Sequence, residues 1–317
     1  VSPKIGIVLP VRELQILDPN TAAGTLLEGA RQVEDLGFDS VWVADSFVVR
    51  PQLEPLTLLA AIAAVTRNVT IGTAALPAST REPKTLGHMI ATLDQLSGGR
   101  LVMGLAMGEP LPNQVVTETY SERVDRIDEA VAAFKTAWQG RDDELKGTYY
   151  DLSELRQQGQ PMTPGGPGIW LASNGKPRAV ARAGALYDGW LPVRIDPGQY
   201  RESLTQIQQA VRAAGRDPRA FTPSLYVSVN VDQDAEAAEA ALNEYTNRYY
   251  KLPLSTMQRF QNYFGGTEKE LVAYLREFVD AGCRHITMRI NSLTDYDRIL
   301  HAIGEKVVPA VHEISTD

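Results

Sequence analysis

Leu36-Gly-Phe-Asp-Ser-Val-Trp-Val-Ala-Asp-Ser-Phe47 reads as the last turn of a helix, a glycine stop, a short buried strand, and then a carboxylate and a hydroxyl where the strand runs out. The helix predicted before it, Thr21 to Leu36, puts Leu26, Leu27, Ala30, Val33 and Leu36 on one side. Gly37 suits the position just past a helix end, where φ is positive and a Cβ is unfavourable. The joint returns in Asp94-Gln-Leu-Ser-Gly-Gly-Arg-Leu-Val-Met103, Ala181-Arg-Ala-Gly-Ala-Leu-Tyr-Asp-Gly-Trp190 and Phe278-Val-Asp-Ala-Gly-Cys-Arg-His-Ile-Thr287. Each reads as helix, glycine, β-rich run. Short joints that feed apolar strands imply parallel strands buried on both faces.

Outward from that stretch, the first strand is Lys4-Ile-Gly-Ile-Val-Leu-Pro10, stopped by its proline, and the polar stretch to Asn20 reads as a loop. Further strands are predicted at Asp39–Ala44, Val69–Ala75, Arg100–Ala106, Ile169–Ala172, Asp188–Val193, Thr222–Val231 and His285–Ile290, with amphipathic helices between them. Three excursions interrupt the alternation. One follows Gly108, one covers residues 140–168 with a hairpin around Thr148–Asp151, and one covers residues 251–266 and is rich in aromatics. Eight α/β units in 317 residues predict an α/β fold, a (β/α)8 TIM barrel with insertions after strands four and seven and before strand five. A dinucleotide fold needs G-x-G-x-x-G after its first strand, and Ile7-Val-Leu-Pro-Val-Arg12 lacks it.

Composition narrows the class without naming an activity. A net charge of −8 with no compensating basic run argues against nucleic acid or an anionic membrane as partner. The lone Cys283 excludes an internal disulfide and fits a reducing compartment. No apolar run approaches the ~18–20 residues that span a bilayer, and no signal-peptide pattern opens the chain, so a cytoplasmic protein is expected.

In a (β/α)8 barrel the chemistry belongs at the C-terminal strand ends. Asp45 ends an otherwise apolar strand and must reach solvent, a cation or a donor; a helix cap or a salt bridge, with Arg50 as one partner, is the plain alternative. Glu109 follows Gly108 after strand four, and a glutamate over the mouth can act as a general acid when burial raises its pKa; loop solvation is the alternative. Ser173-Asn-Gly-Lys-Pro-Arg178 opens a helix with Pro177 in its first turn, an arrangement that suits an anion, or ordinary capping. No metal-ligand spacing, P-loop or G-x-S-x-G elbow occurs, so no metal is expected. His88, His301 and His312 fall on helices, and His285 opens a strand at the wrong end of the barrel; all four read as structural.

With these pieces in place, the chain resembles the bacterial luciferase-like superfamily of flavin- and F420-dependent oxidoreductases. The resemblance rests on Val41-Trp-Val-Ala-Asp-Ser-Phe47, Glu54-Pro-Leu-Thr-Leu-Leu-Ala60, Ile71-Gly-Thr-Ala-Ala75, Leu93-Asp-Gln-Leu-Ser-Gly-Gly-Arg-Leu101 and Ala185-Leu-Tyr-Asp-Gly189. It implies a single barrel domain over residues 1–317, a cofactor across the barrel mouth, a small-molecule substrate and a homodimer. A bulge with a non-proline cis peptide is implied at Ala74–Ala75, backing the cofactor ring, with Asp45, Thr73, Gly108 and Val193 beside it. The cofactor phosphate is implied at Ser173, Asn174, Gly175 and Lys176. Catalytic roles fall to Glu109, Asp45 and Ser46.

Relatives that use coenzyme F420 commonly carry Asp-His where this chain has Asp45-Ser46, and FMN-dependent luciferases commonly carry Glu-His. Asp45 therefore favours F420-dependent hydride transfer, with Met107-Gly-Glu109 resembling the Thr-Gly-Glu of F420-dependent sugar-phosphate dehydrogenases. Ser46 withholds the imidazole usual in proton transfer near neutral pH. Two alternatives stay open: an FMN-dependent monooxygenase fed by a flavin reductase, and a non-catalytic flavin- or F420-binding protein.

Overall fold

The structure is a computed structural model that describes residues 2–18, 20, 23–45, 53–108, 117–141 and 145–315. The first half of the chain runs β1 (Lys4–Val8), α1 (Val11–Leu17), α2 (Ala23–Asp35), β2 (Ser40–Val43), α3 (Pro55–Val65), β3 (Thr70–Pro77), α4 (Pro83–Ser97), β4 (Leu101–Ala106) and α5 (Tyr120–Trp138). The second half runs β5 (Gly168–Ala172), α6 (Pro177–Leu186), β6 (Gly189–Leu191), α7 (Pro197–Ala213), β7 (Thr222–Val231), α8 (Ala235–Tyr249), α9 (Leu254–Met257), β8 (Tyr263–Gly266), α10 (Glu268–Asp280), β9 (His285–Ile290), α11 (Tyr296–Ala302) and α12 (Val308–His312). Hydrogen-bonded neighbours follow the order β6-β5-β4-β3-β2-β1-β9-β7, and β6 also pairs with β7, so eight parallel strands close a barrel. The closed barrel is the one the repeated joint predicts. The ninth strand, β8, lies within the excursion after β7 and pairs only with Ser228–Val231.

Inside the barrel, three glycines make room for two indoles. A Cβ on Gly6 or Gly72 would come within 2.5 Å of the Trp42 ring, and one on Gly189 within 2.5 Å of the Trp170 ring. The rings stand 5.2 Å apart, and His285 meets both edge-on. His285 opens β9 and contacts Ser40 at the start of β2 (2.8 Å), so this plug fills the lower lumen and leaves the strand ends above it for chemistry. Burial in the plug pushes the His285 imidazole down to about 3, against a smaller upward pull from Asp39, so it is neutral at pH 7. The outer layer of core lies between strands and helices, where Val41, Ile62, Ile71, Ile90, Phe134 and Ile286 are all essentially out of water.

The Asp-Gln-Leu-Ser-Gly-Gly-Arg-Leu run works at the bottom of the barrel. Gly98 and Gly99 take positive φ, as do Gly37 and Gly282 at their joints. Arg100 then donates to the carbonyls of Ala63, Thr66 and Val69, satisfying the end of α3. Asp94, fully buried, accepts from the Thr163 N–H (2.7 Å) and hydroxyl (3.1 Å), which pins the excursion before β5. The run most specific to the family resemblance is scaffold.

Three sequence expectations are corrected. Residues 11–17 form α1 instead of a loop, because Val11 and Leu14 pack inward and the buried Arg12 and Glu13 find tyrosine and arginine partners. Gly184 is no helix stop. It sits inside α6, where a Cβ would come within 2.5 Å of Ala210 Cβ and the Ile207 carbonyl of α7; it is a close-packing residue. β6 is half the expected length, since Pro192 cannot donate to a ladder. The hairpin expected around Thr148–Asp151 is present in minimal form: an antiparallel bridge joins Lys146 to Asp151, and the Tyr150 and Leu145 carbonyls accept the Gly147 and Leu152 N–H groups at 2.8 and 2.9 Å. The excursion after β4 falls largely on residues 109–116, outside the described residues.

Candidate active site

β2 is buried along its whole length and ends at Asp45, whose side chain is only 2% exposed. A carboxylate so far from water needs a cation, and Arg81 supplies it: Nη1 lies 2.8 Å from Asp45 Oδ2. The other guanidinium nitrogen donates to Glu54 Oε1 at 2.9 Å. Glu54 caps α3 by accepting the Thr57 N–H at 2.7 Å. Burial pushes the Glu54 carboxyl up, but the Thr57 N–H and Arg81 outweigh it and hold it below the usual range. One arginine thus ties the end of β2, the start of α3 and the turn after β3. Arg81, on that turn, takes the place the sequence reading offered to Arg50; Arg50, Ser46 and Glu109 all lie outside the described residues.

The adjacent strand carries the implied bulge. The β3–β4 register shifts between Thr73 and Leu76, and the Ala74–Ala75 peptide is cis. Ala74 belongs to the same buried cluster as Val8, Trp42 and Leu191, with Ala44, Ala172 and Val193 packed on it, so the bulge faces an apolar upper lumen. Thr73 is fully buried and its hydroxyl donates to the Gly104 carbonyl at 2.9 Å. Gly108 has φ +78°, and a Cβ there would lie 2.5 Å from Pro77 Cβ, so its close approach is to the end of β3. The Ser79 hydroxyl donates to the Met107 carbonyl, fixing the same corner.

Past β5, the Ser173 hydroxyl is buried and has no partner among the described residues. Asn174 Oδ1 accepts the Lys176 N–H at 3.3 Å, and Lys176 itself gives α6 no side-chain cap. The first-turn N–H groups of α6 therefore remain available at the positive end of the helix. A Cβ on Gly175 would come 2.8 Å from Ser203 Oγ, so the turn can lie flat only with glycine. Arg178 is held by Ser121 (2.8 Å) and Asp125 (2.7 Å) of α5, so the charge offered to an anion is that of Lys176 and the helix end. An unpartnered hydroxyl, an uncapped helix and an apolar bed suit a planar ring with a phosphate-bearing arm. Among the described residues, no three His, Cys, Asp or Glu side chains gather to hold a metal.

The opposite wall of the mouth contains residues the sequence reading passed over. Glu13 of α1 accepts from Arg289 of β9 at 2.7 Å and from the Tyr245 hydroxyl at 2.6 Å, with both ionic side chains at most 6% exposed. Arg289 also donates to the Tyr250 hydroxyl at 3.1 Å and lies 4.8 Å from the Tyr249 ring centroid. Arg12 reaches the Tyr249 hydroxyl at 3.2 Å. Arg289 lies inside the last predicted strand, His285–Ile290. The available signal was Tyr245, Tyr249 and Tyr250 on one helical face, but nothing local pairs them with residues 12 and 13.

Comparison with known proteins agrees with the fold. Residues 4–290 match the family described as Luciferase-like monooxygenase. The F420-dependent hydroxymycolic acid dehydrogenase of Mycobacterium tuberculosis is 31% identical over 225 residues, 68% of this chain and 61% of that protein. The 5,10-methylenetetrahydromethanopterin reductase of Methanolobus tindarius is 27% identical over 212 residues, 67% of this chain and 63% of that protein. The chain spans about six-tenths of the length of these curated relatives. An F420-dependent secondary alcohol dehydrogenase, solved with an F420-acetone adduct, superposes with a TM-score of 0.78 at 22% identity, covering 98% of this chain and 99% of that one. A long-chain alkane monooxygenase superposes with the same TM-score of 0.78 at 16% identity, covering 99% of this chain and 92% of that one.

Proposed function

The chain belongs to the luciferase-like monooxygenase family, a superfamily of flavin- and F420-using oxidoreductases, and from that premise we propose that it is an F420-dependent enzyme moving a hydride to or from a small organic substrate. The observation that carries the reading is Asp45: a carboxylate at the end of β2, beside the Ala74–Ala75 bulge, held by Arg81 instead of by solvent. Support comes also from the similarity to the F420-dependent hydroxymycolic acid dehydrogenase and the F420-dependent secondary alcohol dehydrogenase. The alkane monooxygenase superposes equally well, so the barrel shape does not distinguish hydride transfer from monooxygenation.

In this reading Ala74 and Ala75 back the cofactor ring, with Thr73, Gly108 and Val193 as its neighbours through backbone and van der Waals contact. The Ser173 hydroxyl, the Asn174–Lys176 backbone and the Lys176 side chain hold the phosphate. Asp45 and Ser46 meet the ring or its arm, and Glu109 handles the substrate proton. The bound cofactor supplies the hydride donor or acceptor. The protein supplies a dry bed, a fixed carboxylate and an anion site, which together orient the reactants. Fluorescence titration of the purified protein with F420 and with FMN tests the reading. Micromolar binding of F420 with FMN at least roughly tenfold weaker is expected. Micromolar FMN binding without F420 binding would replace it with the monooxygenase.

A further inference from the structure

Beside the Asp45–Arg81 pair, between α5 and the turn after β3, lies a cavity of about 90 Å³. Its floor is apolar, with Leu86, Leu105, Ile127 and Phe134 in it. Its rim carries three arginines, Arg81, Arg123 and Arg126, and one carboxylate, Glu118. Arg81 is taken by Asp45 and Glu54. Arg126 is half taken: Nη1 meets Glu118 at 2.6 Å, its guanidinium lies 5.4 and 5.5 Å from the Tyr149 and Tyr150 ring centroids, and its buried Nε has no partner among the described residues. Arg123 is different. Its guanidinium has no hydrogen bond or ion pair among the described residues, and its Nε is buried without a partner. A buried guanidinium nitrogen without an acceptor is costly, and native structures normally satisfy such groups. In a chain of net charge −8, an unmatched cation over an apolar hollow defines a binding chemistry.

We propose that this cavity is a carboxylate site, in which an organic acid places its carboxylate on Arg123 and Arg126 and its apolar stub on the Leu86–Phe134 floor. The guanidinium fork matches a carboxylate in plane, and two N–H donors can engage both oxygens. A bare inorganic anion would leave the floor uncovered, so an acid with a compact apolar body is the better occupant. The acid has two possible sources, a free small carboxylate or a carboxylate on the arm of a cofactor bound in the adjacent mouth. The site stands on its own geometry and does not depend on the cofactor assignment.

Calorimetry with benzoate and with benzamide, equal in shape and differing in charge, tests the site. Benzoate is expected to bind at least about tenfold more tightly than benzamide, and Arg123→Gln to remove that difference. Ala130→Leu, which narrows the floor but keeps the charges, should weaken both ligands together, and a melting curve unchanged for each variant shows that the fold is intact. Competition assigns the source. Benzoate that displaces F420 but not its tail-less deazaflavin riboside means the cofactor's arm supplies the carboxylate. Benzoate that binds alongside F420 means a free acid supplies it. Equal affinity for benzoate and benzamide, or no binding of either at millimolar concentration to protein that binds F420, overturns the proposal. Benzoate binding by protein that takes neither F420 nor its riboside would uphold this site and remove the F420 reading.

Discussion

The two walls of the barrel mouth are both polar, but they are built in opposite ways. On the β2–β5 wall, polar groups retain unused capacity: the Ser173 hydroxyl lacks a partner among the described residues and α6 has no side-chain cap. On the β9–α1–α8 wall, Glu13, Arg289, Tyr245 and Tyr250 meet one another's bonding needs, and both ionic side chains are at most 6% exposed. The first wall keeps uncharged donors and acceptors that a ligand could engage beside its paired Asp45 and Arg81. The second is a closed clamp that ties α1 and α8 to the strand end.

The largest expected effect breaks the clamp. Arg289→Leu leaves the Glu13 carboxylate buried without its cation and should cost about 3–5 kcal/mol in chemical denaturation. F420 affinity should change little, because the clamp does not hold the ligand. Arg81→Leu tests the other wall. It strands Asp45, whose side chain is 2% exposed, while Glu54 is already 40% exposed, so a loss near the lower end of that range, about 3 kcal/mol, is expected. Here F420 affinity should fall roughly tenfold or more, as measured by fluorescence titration. A reversal of these two patterns would exchange the roles of the walls.

The next effect lies beneath both walls. The folded pKa of His285 is depressed to about 3, below its ordinary value of 6.5, so between those values the unfolded chain binds the extra proton. Stability from neutral His285 is present above pH 6.5 and is lost as pH falls towards 3. Between pH 6.5 and 5 the loss should approach about 2 kcal/mol, and His285→Gln should flatten that slope. The smallest effect separates ligand binding from stability. Ser173→Ala removes a hydroxyl with no partner among the described residues, so the melting temperature should hold while F420 binding weakens by about 0.5–1.5 kcal/mol.

The sequence showed the first wall and hid the second, and the reason is contact distance. Asp45, Ala74–Ala75 and Ser173–Lys176 are strand ends, and counting strands is enough to place them together. The helix–glycine–strand joint made that count possible at Gly37, Gly98 and Gly282, where positive φ is what the backbone requires. It misled at Gly184, because a glycine chosen for close helix packing has the same letter as one chosen for φ. The clamp joins Glu13 to residues 232 and 276 positions away, and no local pattern marks such pairs. α1 was hidden for the same reason: Arg12 and Glu13 look like loop residues until α8 and β9 supply their partners.

The most direct test is the position of F420 in a crystal structure of the chain soaked with the cofactor. The deazaflavin ring is expected against Ala74–Ala75, with its phosphate on Ser173, the start of α6 and Lys176. A ring seated against Arg289 and Tyr250, with Ser173 untouched, would contradict it.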